Sequence, residues 1–494
     1  MARIVIIGGG VAGLSAGIYA QIAGHHAHVC EKHVVAGGNL TGWRRGDYHI
    51  DNCIHWLTGT NEHTALYRMW EELGALGEGV DVYQGEALYT CTRDGETISL
   101  YRDLERMERE MLVLSPRDER QIRTFIGVVR AVQGFSGIGG DKHDRKSTAR
   151  QRLLTLPSLA SYSNLSTGAL AQRFHHPLLR DFVLGVLGTE FSATSLAVIA
   201  ASFCGENGGI PKGGSCAMAA RMARRLEELG GELHLKKEAT RVLHGNGMAH
   251  TVVFSDGTSL SADYVILAAD PAVMVSRLLE LPMPTRLARE YHRADAMRFS
   301  SCHCAFACDA SCVPFRGDLI FEMPRSYRER LGANYIVLRE FSHEESFAPA
   351  GETVLQGMVC CDEQRARRLI ELKRDAKAYA ARKREIARDV QDLIAEKLPS
   401  LRDGLRLLDV WTPATYQRYT GAEVGSWMGF VLRAGRMPHK IDNTIPQLKN
   451  VVLATQWLRS PGGLPFAALE GKRAVETVSK KIAASARPQK TAAF

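Results

Sequence analysis

No stretch of this sequence approaches the roughly 18 consecutive apolar residues of a membrane-spanning helix, so no span is expected. Charge of one sign is not concentrated either. Lys and Arg number 62 against 54 Asp and Glu, and they are interleaved. Asp362-Glu363 runs ahead of Arg365, Arg367 and Arg368, and Arg382-Lys383-Arg384 ends on Glu385. These read as solvated helix faces. The clustered basic stripe that nucleic-acid binding needs is missing, so no nucleic-acid partner is expected. The 11 cysteines, an odd number, have no framework spacing, which excludes a disulfide scaffold and points to reduced thiols. The first strand begins within a few residues of the start, so no signal peptide is expected. A cytoplasmic location is expected, and the composition is compatible with peripheral membrane contact.

Metal-ligand spacing is also lacking. Ser301-Cys302-His303-Cys304, with Cys308 and Cys312, is the densest run of ligand types. On a strand, Cys302 and Cys304 face one way and His303 the other, and no second paired motif completes a tetrahedral set. No metal is expected.

What is present begins at Ile4–Ile7, an apolar run without alternation, as in a strand buried on both faces of a parallel sheet. Gly8-Gly9-Gly10-Val11-Ala12-Gly13 follows at once. Gly8 serves the tight turn, Gly10 lets backbone approach a pyrophosphate, and Gly13 lets helix and strand pack closely. A helical pattern with Leu14, Ile18 and Ile22 on one face then stops at Gly24, and the strand Ala27–Cys30 ends at Glu31. That acid stands where a carboxylate holds a ribose 2′-hydroxyl, and it would repel a 2′-phosphate, which disfavours NADP. Ala36-Gly37-Gly38-Asn39 comes directly after.

At 494 residues two domains are expected. Helical spacing runs through Ile122, Phe125, Ile126, Val129 and Val132 after Ser115-Pro116. Gly137-Ile138-Gly139-Gly140 follows a helix and is not read as a second nucleotide site. Leu178–Phe203 is almost uncharged and suits either core helices or the wall of a lipophilic cavity. Gly209-Ile210-Pro211-Lys212-Gly213-Gly214 leads into Ser215, read as an N-cap. Short strands with Gly245-Asn246-Gly247 and Asp256-Gly257 turns follow, closed by Tyr264–Ala268 and Ala269-Asp270-Pro271. Leu369–Lys397 reads as one long charged amphipathic helix. Asn450–Ala454 reads as the last strand, and Pro461-Gly462-Gly463-Leu464-Pro465 opens a helix over Phe466–Lys481.

These motifs and their order resemble the flavin amine oxidase superfamily, and within it the phytoene desaturase, carotenoid isomerase and retinol saturase branch. The glycine pair past the acid (Gly37, Gly38), the Pro211-x-Gly213-Gly214 turn, the Asp270-Pro271 close, and Arg418-Tyr419 with Gly425 and Gly429 carry the resemblance. It implies an α/β fold, with a Rossmann-like FAD-binding domain and an interleaved α+β substrate domain. The FAD-binding domain would comprise residues 1–57, 205–271 and 440–482, the substrate domain 58–204 and 272–439, and a flexible tail 483–494. The implied cofactor is FAD. Its site would comprise Gly8, Gly10, Val11, Ala12, Gly13, Glu31, Lys32, Gly37, Gly38, Asn39, Val242, Gln456, Gly463 and Leu464. The implied chemistry is desaturation, saturation or isomerisation at carbon–carbon bonds of a small lipophilic, polyene-like substrate, with an electron donor or acceptor that the sequence does not identify. His55, Tyr416, Arg418 and Trp427 are the candidates for substrate wall and proton relay. Two departures stand out. Asp51-Asn52-Cys53 lacks the family glycine, so Asn52 or Cys53 must make a turn that favours positive φ. Thr455-Gln456 replaces the family Gly-Asp. A flavin amine oxidase and a non-catalytic flavin-binding protein remain as alternatives.

Overall fold

The computed structural model describes residues 1–133, 157, 160–293, 296–436 and 440–485. The glycine-rich run at 134–140 and the chain beyond Ser485 lie outside the described residues.

Two sheets organise the molecule. The first has six strands in the order Glu232–His234, His26–Cys30, Arg3–Ile7, Tyr264–Leu267, Leu448–Leu453 and Thr444–Ile445. All neighbours are parallel except the last pair. Ile4, Val5 and Ile6 are wholly buried at its centre, which explains the unbroken apolar run. Helices Val11–Ile22, Gly214–Glu228 and Leu464–Ser485 cover one face, with Leu14, Ile18, Met222 and Val475 in one core with Ile4 and Ile6. The other face packs Val5, Ile7, Val265 and Leu267 against Val242 and Val252 of the small antiparallel sheet Ala239–Gly245, Met248–Phe254 and Ser259–Ser261. Sequence segments separated by some two hundred residues therefore meet in this one sheet.

The second sheet has seven strands, ordered Arg406–Trp411, Ser300–Asp309, Glu352–Cys361, Tyr335–Glu340, Asp318–Glu322, Ala87–Arg93 and Glu96–Tyr101. One face buries Cys302, Cys304, Leu338 and Leu355 against Ile386, Val390 and Leu393 of helix Ala376–Lys397. His303 points to the opposite face, as alternation requires. On that opposite face Ile320 and Val337 share a core with helices Glu119–Gln133, Pro177–Leu184 and Ala193–Cys204. Among the described residues no helix is long and apolar enough to cross a membrane.

Three local expectations are corrected. The charged segment at 369–397 is two helices, Glu363–Leu372 and Ala376–Lys397. Asp375 separates them and caps the second, accepting from the Lys377 and Ala378 amides. The apolar stretch at 178–203 forms helices, as read: two of them, divided by a turn at 185–192. Ser215 is not an N-cap: Gly213 takes that place with φ +78°. Ser215 sits in the first turn, where its amide and hydroxyl both donate to the buried Asp51 carboxylate, each at 2.6 Å. Asn52 is not among the residues with positive φ. Asp51 Oδ1 accepts from the Cys53 amide at 3.1 Å, an Asx turn that reverses the chain without a glycine.

Candidate active site

A cavity of about 1020 Å³ is lined by residues from both sheets. Gly8, Gly10, Val11, Ala12, Gly37 and Gly38 line it on the six-stranded side. At Gly13 and Gly37 close packing leaves no space for a side chain. A Cβ on Gly13 would lie 1.8 Å from the Gly8 carbonyl oxygen, and one on Gly37 would lie 2.2 Å from that of Leu40. Gly10 bridges to Gly37, and the Gly37 amide donates to the Gly9 carbonyl at 2.8 Å, so the two glycine turns are laid against each other.

Helix Val11–Ile22 starts at Gly10 with no side-chain cap and no acid in its first turn. Its leading amides therefore face the cavity without a protein acceptor, which is the donor arrangement an anionic pyrophosphate satisfies. Glu31, buried, accepts from the Gly9 amide at 2.7 Å and the His33 amide at 3.0 Å. A carboxylate has lone pairs beyond these two, so it can also take a ribose hydroxyl. At the far end of the chain Gly463 and Leu464 begin helix Leu464–Ser485 and line the same cavity. Gln456 lies beside that helix start: its Oε1 accepts from the Gly463 amide at 2.7 Å, and its Nε2 donates to the Trp427 carbonyl at 3.4 Å. These features fit a flavin dinucleotide: two glycine turns without side chains, two helix N-termini and an acid on the second strand.

Of the remaining expected cofactor contacts, Lys32 and Asn39 line the cavity, and Lys32 Nζ donates to the Arg418 carbonyl at 2.9 Å. Burial lowers the Lys32 pKa. Gly13 stands behind the turn as a packing residue and does not line the cavity. Val242 does not reach it either. Its side chain is buried in the core between the two sheets, and Lys237, Glu238 and Ala239, ahead of and at the start of that strand, are the residues that face the cavity.

On the seven-stranded side the lining is apolar. Leu184, Val198, Ile199, Ile320, Val337 and Met358 contribute, along with the turn at 185–191. The stretch 178–203 thus supplies both core and cavity wall. The acids here are matched: Glu190 accepts from Arg433 at 2.7 Å, and Asp318 is held by Arg339 at 2.6 Å.

His55 and Trp427 line the cavity. His55 Nδ1 lies 3.7 Å from Asp318 Oδ2. Burial lowers the His55 pKa, and neighbouring Arg339 adds to this against the pull of Asp318. Trp427 Nε1 donates to Ser301 Oγ at 3.0 Å, and Ser301 Oγ lies 2.7 Å from His303 Nε2. Tyr416 does not line the cavity. It is buried beneath, 3.2 Å from His303 Nε2, where it donates to Asn52 Oδ1 at 3.0 Å and accepts from Trp411 Nε1 at 3.1 Å. Burial raises its phenol. Arg418, two residues on in the same helix, is exposed and contributes only its carbonyl.

His303, which the sequence singled out only as a ligand type, is the residue missed. It stacks on Trp411 at 4.7 Å, opposite Met358 across the strand pair. Burial pushes its pKa well down, helped by His55 and Arg339, and its Nδ1 is buried without a hydrogen-bond partner. The signal was its place among inert cysteines on a strand: alternation alone puts it on the face away from them.

Fold and cradle together define a flavin-dependent oxidoreductase of α/β type. The chain belongs to the flavin containing amine oxidoreductase family, whose pattern matches residues 11–479, and FAD is its cofactor. Curated relatives include the neurosporene-forming phytoene desaturase of Rhodobacter capsulatus, 26% identical over 292 residues, which is 56% of this chain and 54% of that protein. The match thus spans about half the length of that relative. The chloroplastic prolycopene isomerase of Arabidopsis thaliana is 22% identical over 451 residues, 86% of this chain and 73% of that one. Among solved structures, an oxidoreductase from Methanosarcina mazei superposes with TM-score 0.62 at 16% identity, over 97% of this chain and all of the other. Cyclohexylamine oxidase from Brevibacterium oxydans gives 0.56 at 16%, over 98% and 99%. At such identity these two likenesses speak for the fold alone.

Proposed function

We propose that this protein is an FAD-dependent oxidoreductase acting on a carbon–carbon bond of a lipophilic, polyene-like molecule by desaturation, saturation or isomerisation. The observation that carries the reading is the apolar wall joined to the dinucleotide cradle in one cavity, with its acids Asp318 and Glu190 already paired. A charged substrate would find no unpaired partner in them, whereas burial of hydrocarbon there is favourable by about 25 cal/mol per Å². The relatives named for phytoene and prolycopene chemistry support the same choice.

When bound, the flavin supplies two-electron chemistry, accepting or returning a hydride. The chain's own contribution is positioning. Gly8, Gly10, Val11 and Ala12 hold the pyrophosphate by backbone, and Glu31 takes the ribose. Gln456 fixes the Gly463–Leu464 turn. His55 and Trp427 form part of the cavity wall. Tyr416 and His303 hold that wall from beneath, and Arg418 has no part in it. The division into residues 1–57, 205–271 and 440–482 against 58–204 and 272–439 belongs to the same proposal: each sheet with its helices would be one domain. The electron partner and any membrane contact are not part of it.

The test is to purify the protein, extract it with organic solvent and identify by mass what co-purifies. A bound apolar polyene or isoprenoid is expected. Recovery of a primary or secondary amine, with no lipid, would favour amine oxidation instead.

A further inference from the structure

On the far edge of the six-stranded sheet, three side chains converge on one point. His28 lies on the second strand, and Glu232 and His234 lie on the edge strand beside it. His28 is in register with Glu232, and His234 is two residues further along, so all three project from the same face of the sheet. His28 Nδ1 is 3.3 Å from His234 Nε2 and 3.4 Å from Glu232 Oε2, and His234 Nε2 is 3.2 Å from the same Glu232 oxygen. Among the described residues this is the only group of three or more His, Cys, Asp or Glu whose ligand atoms come together in this way.

The three distances are nearly equal. Hydrogen bonding satisfies at most two of the three contacts: if both imidazole N–H groups donate to the shared Glu232 oxygen, two donors face each other at 3.3 Å, and if one imidazole donates to the other, the acceptor nitrogen faces the carboxylate lone pair to lone pair. A tetrahedral ion accounts for all three. Metal–nitrogen and metal–oxygen bonds of about 2.0–2.2 Å place neighbouring ligand atoms about 3.3–3.6 Å apart along a tetrahedron's edges, and the observed separations stand at the short end of that range. Two imidazoles and one carboxylate are a donor set for zinc and similar borderline divalent cations, with the fourth position left to water. Calcium and magnesium prefer oxygen ligands and more of them. The site is half open, with His28 12% and Glu232 58% exposed.

We propose that His28, Glu232 and His234 form a divalent transition-metal site, of the zinc class, that clamps the edge strand to the second strand. The clamp acts next to the cofactor cradle. The His234 carbonyl accepts from the Glu31 amide at 2.9 Å, and the Glu31 carboxylate holds the Gly9 amide. An ion here fixes the strand end that carries Glu31 without touching the substrate half. The neighbouring Arg3 guanidinium donates from Nη1 to Ser261 Oγ at 2.7 Å, and the Arg3 backbone amide donates to Asp263 at 2.8 Å.

The experiment uses tag-free, flavin-loaded protein, stripped of metal with a chelator and dialysed. Zn²⁺ is titrated by calorimetry and by thermal shift, and Co²⁺ by its visible d–d bands, which lie to the red of flavin absorption. The variants are Glu232→Gln and His234→Ala, both partly exposed side chains, with His63→Ala as a control for a histidine elsewhere. Expected are one equivalent bound, a rise in melting temperature, and tetrahedral cobalt bands. Affinity should fall at least about tenfold in both site variants and stay unchanged in His63→Ala. Retained flavin absorbance shows that the variants are folded. No stoichiometric binding by the unaltered protein, or equal binding by the site variants, overturns the proposal.

Discussion

Arg339 grips Asp318 with both ends of its guanidinium, Nε to Oδ1 and Nη2 to Oδ2, each at 2.6 Å, and both residues are buried. The same arginine donates to the carbonyls of Ile54 at 2.8 Å and His55 at 3.1 Å. One side chain of the seven-stranded sheet thus fixes the loop that carries His55, and Asp318 sits beside that imidazole. The seven-stranded sheet and the loop at Ile54–His55 are set against each other through this pair.

Breaking it should be costly. Removing one member leaves the other as an uncompensated buried charge, a loss of about 3–5 kcal/mol. Arg339→Met and Asp318→Asn should each lower stability on that scale in denaturant unfolding. The double variant Asp318→Leu/Arg339→Met should recover much of the loss, because no bare charge remains. Equal loss in single and double variants would mean that packing, not charge pairing, sets the cost.

Acid should weaken the protein through the same pair. Burial raises the Asp318 carboxyl, but Arg339 and the His55 contact outweigh it and bring the pKa from 3.8 to about 2. A depressed folded-state carboxyl contributes stability that is complete above 3.8 and lost as pH falls toward 2, here about 2 kcal/mol. Asp118 behaves alike, also held at about 2: its burial is overcome by the amides of His175 and His176 and by Ser115. The histidines act at higher pH. Burial holds His303 neutral well below 6.5, so only the unfolded chain takes up its proton as pH falls under 6.5, and stability falls with it. His303→Phe should flatten the unfolding profile between about pH 6.5 and 5, and Asp318→Asn should flatten it below about pH 4. A profile unchanged by either would contradict these assignments.

The glycines separate by role. Gly13→Ala drives a methyl group into the Gly8 carbonyl, 1.8 Å away, and should cost both folding and flavin retention. Gly24→Ala meets nothing within 4 Å but keeps φ at +77°, and should cost about 1 kcal/mol of backbone strain while leaving the flavin in place. Visible absorbance and a melting curve on the two proteins make the comparison.

Gln456→Asp should keep the fold, since a carboxylate also accepts from the Gly463 amide. It adds negative charge to the cavity where reduction of the flavin builds more, so the midpoint potential should fall. An unchanged potential would place the charge too far away or too well screened.

Much of the cofactor half was legible because its signals are local. A strand, a glycine turn, a helix and an acid lie within Arg3–Glu31, and each dictates its own backbone. Tyr416 and Arg418 show where that logic ends. Neighbours in a motif, they stand two residues apart on a helix, about 200° around its axis, so one is buried and the other exposed. On a strand, alternation sends the Val242 side chain into the core, so the cofactor contact that the resemblance implies there is left to backbone. His303, Asp318 and Arg339 come together from three strands with no shared motif. No spacing in the sequence announces that convergence, because it depends on the order of strands in a sheet. Ser215 shows a subtler limit: its type suits an N-cap, but it stands two residues past the cap, inside the first turn, where Asp51 from a distant strand engages it.

The most direct measurement is an anaerobic turnover, following flavin absorbance and product mass together. The oxidised and the chemically reduced enzyme are each offered polyenes, retinoids and enoates, and the oxidised enzyme is also offered amines. Our account predicts reaction of an apolar alkene: a mass change of two hydrogens matched to flavin reduction or reoxidation, or an isomer of unchanged mass formed by the reduced enzyme. Bleaching of the oxidised flavin by an amine, with release of an aldehyde and no reaction of any alkene, would contradict it.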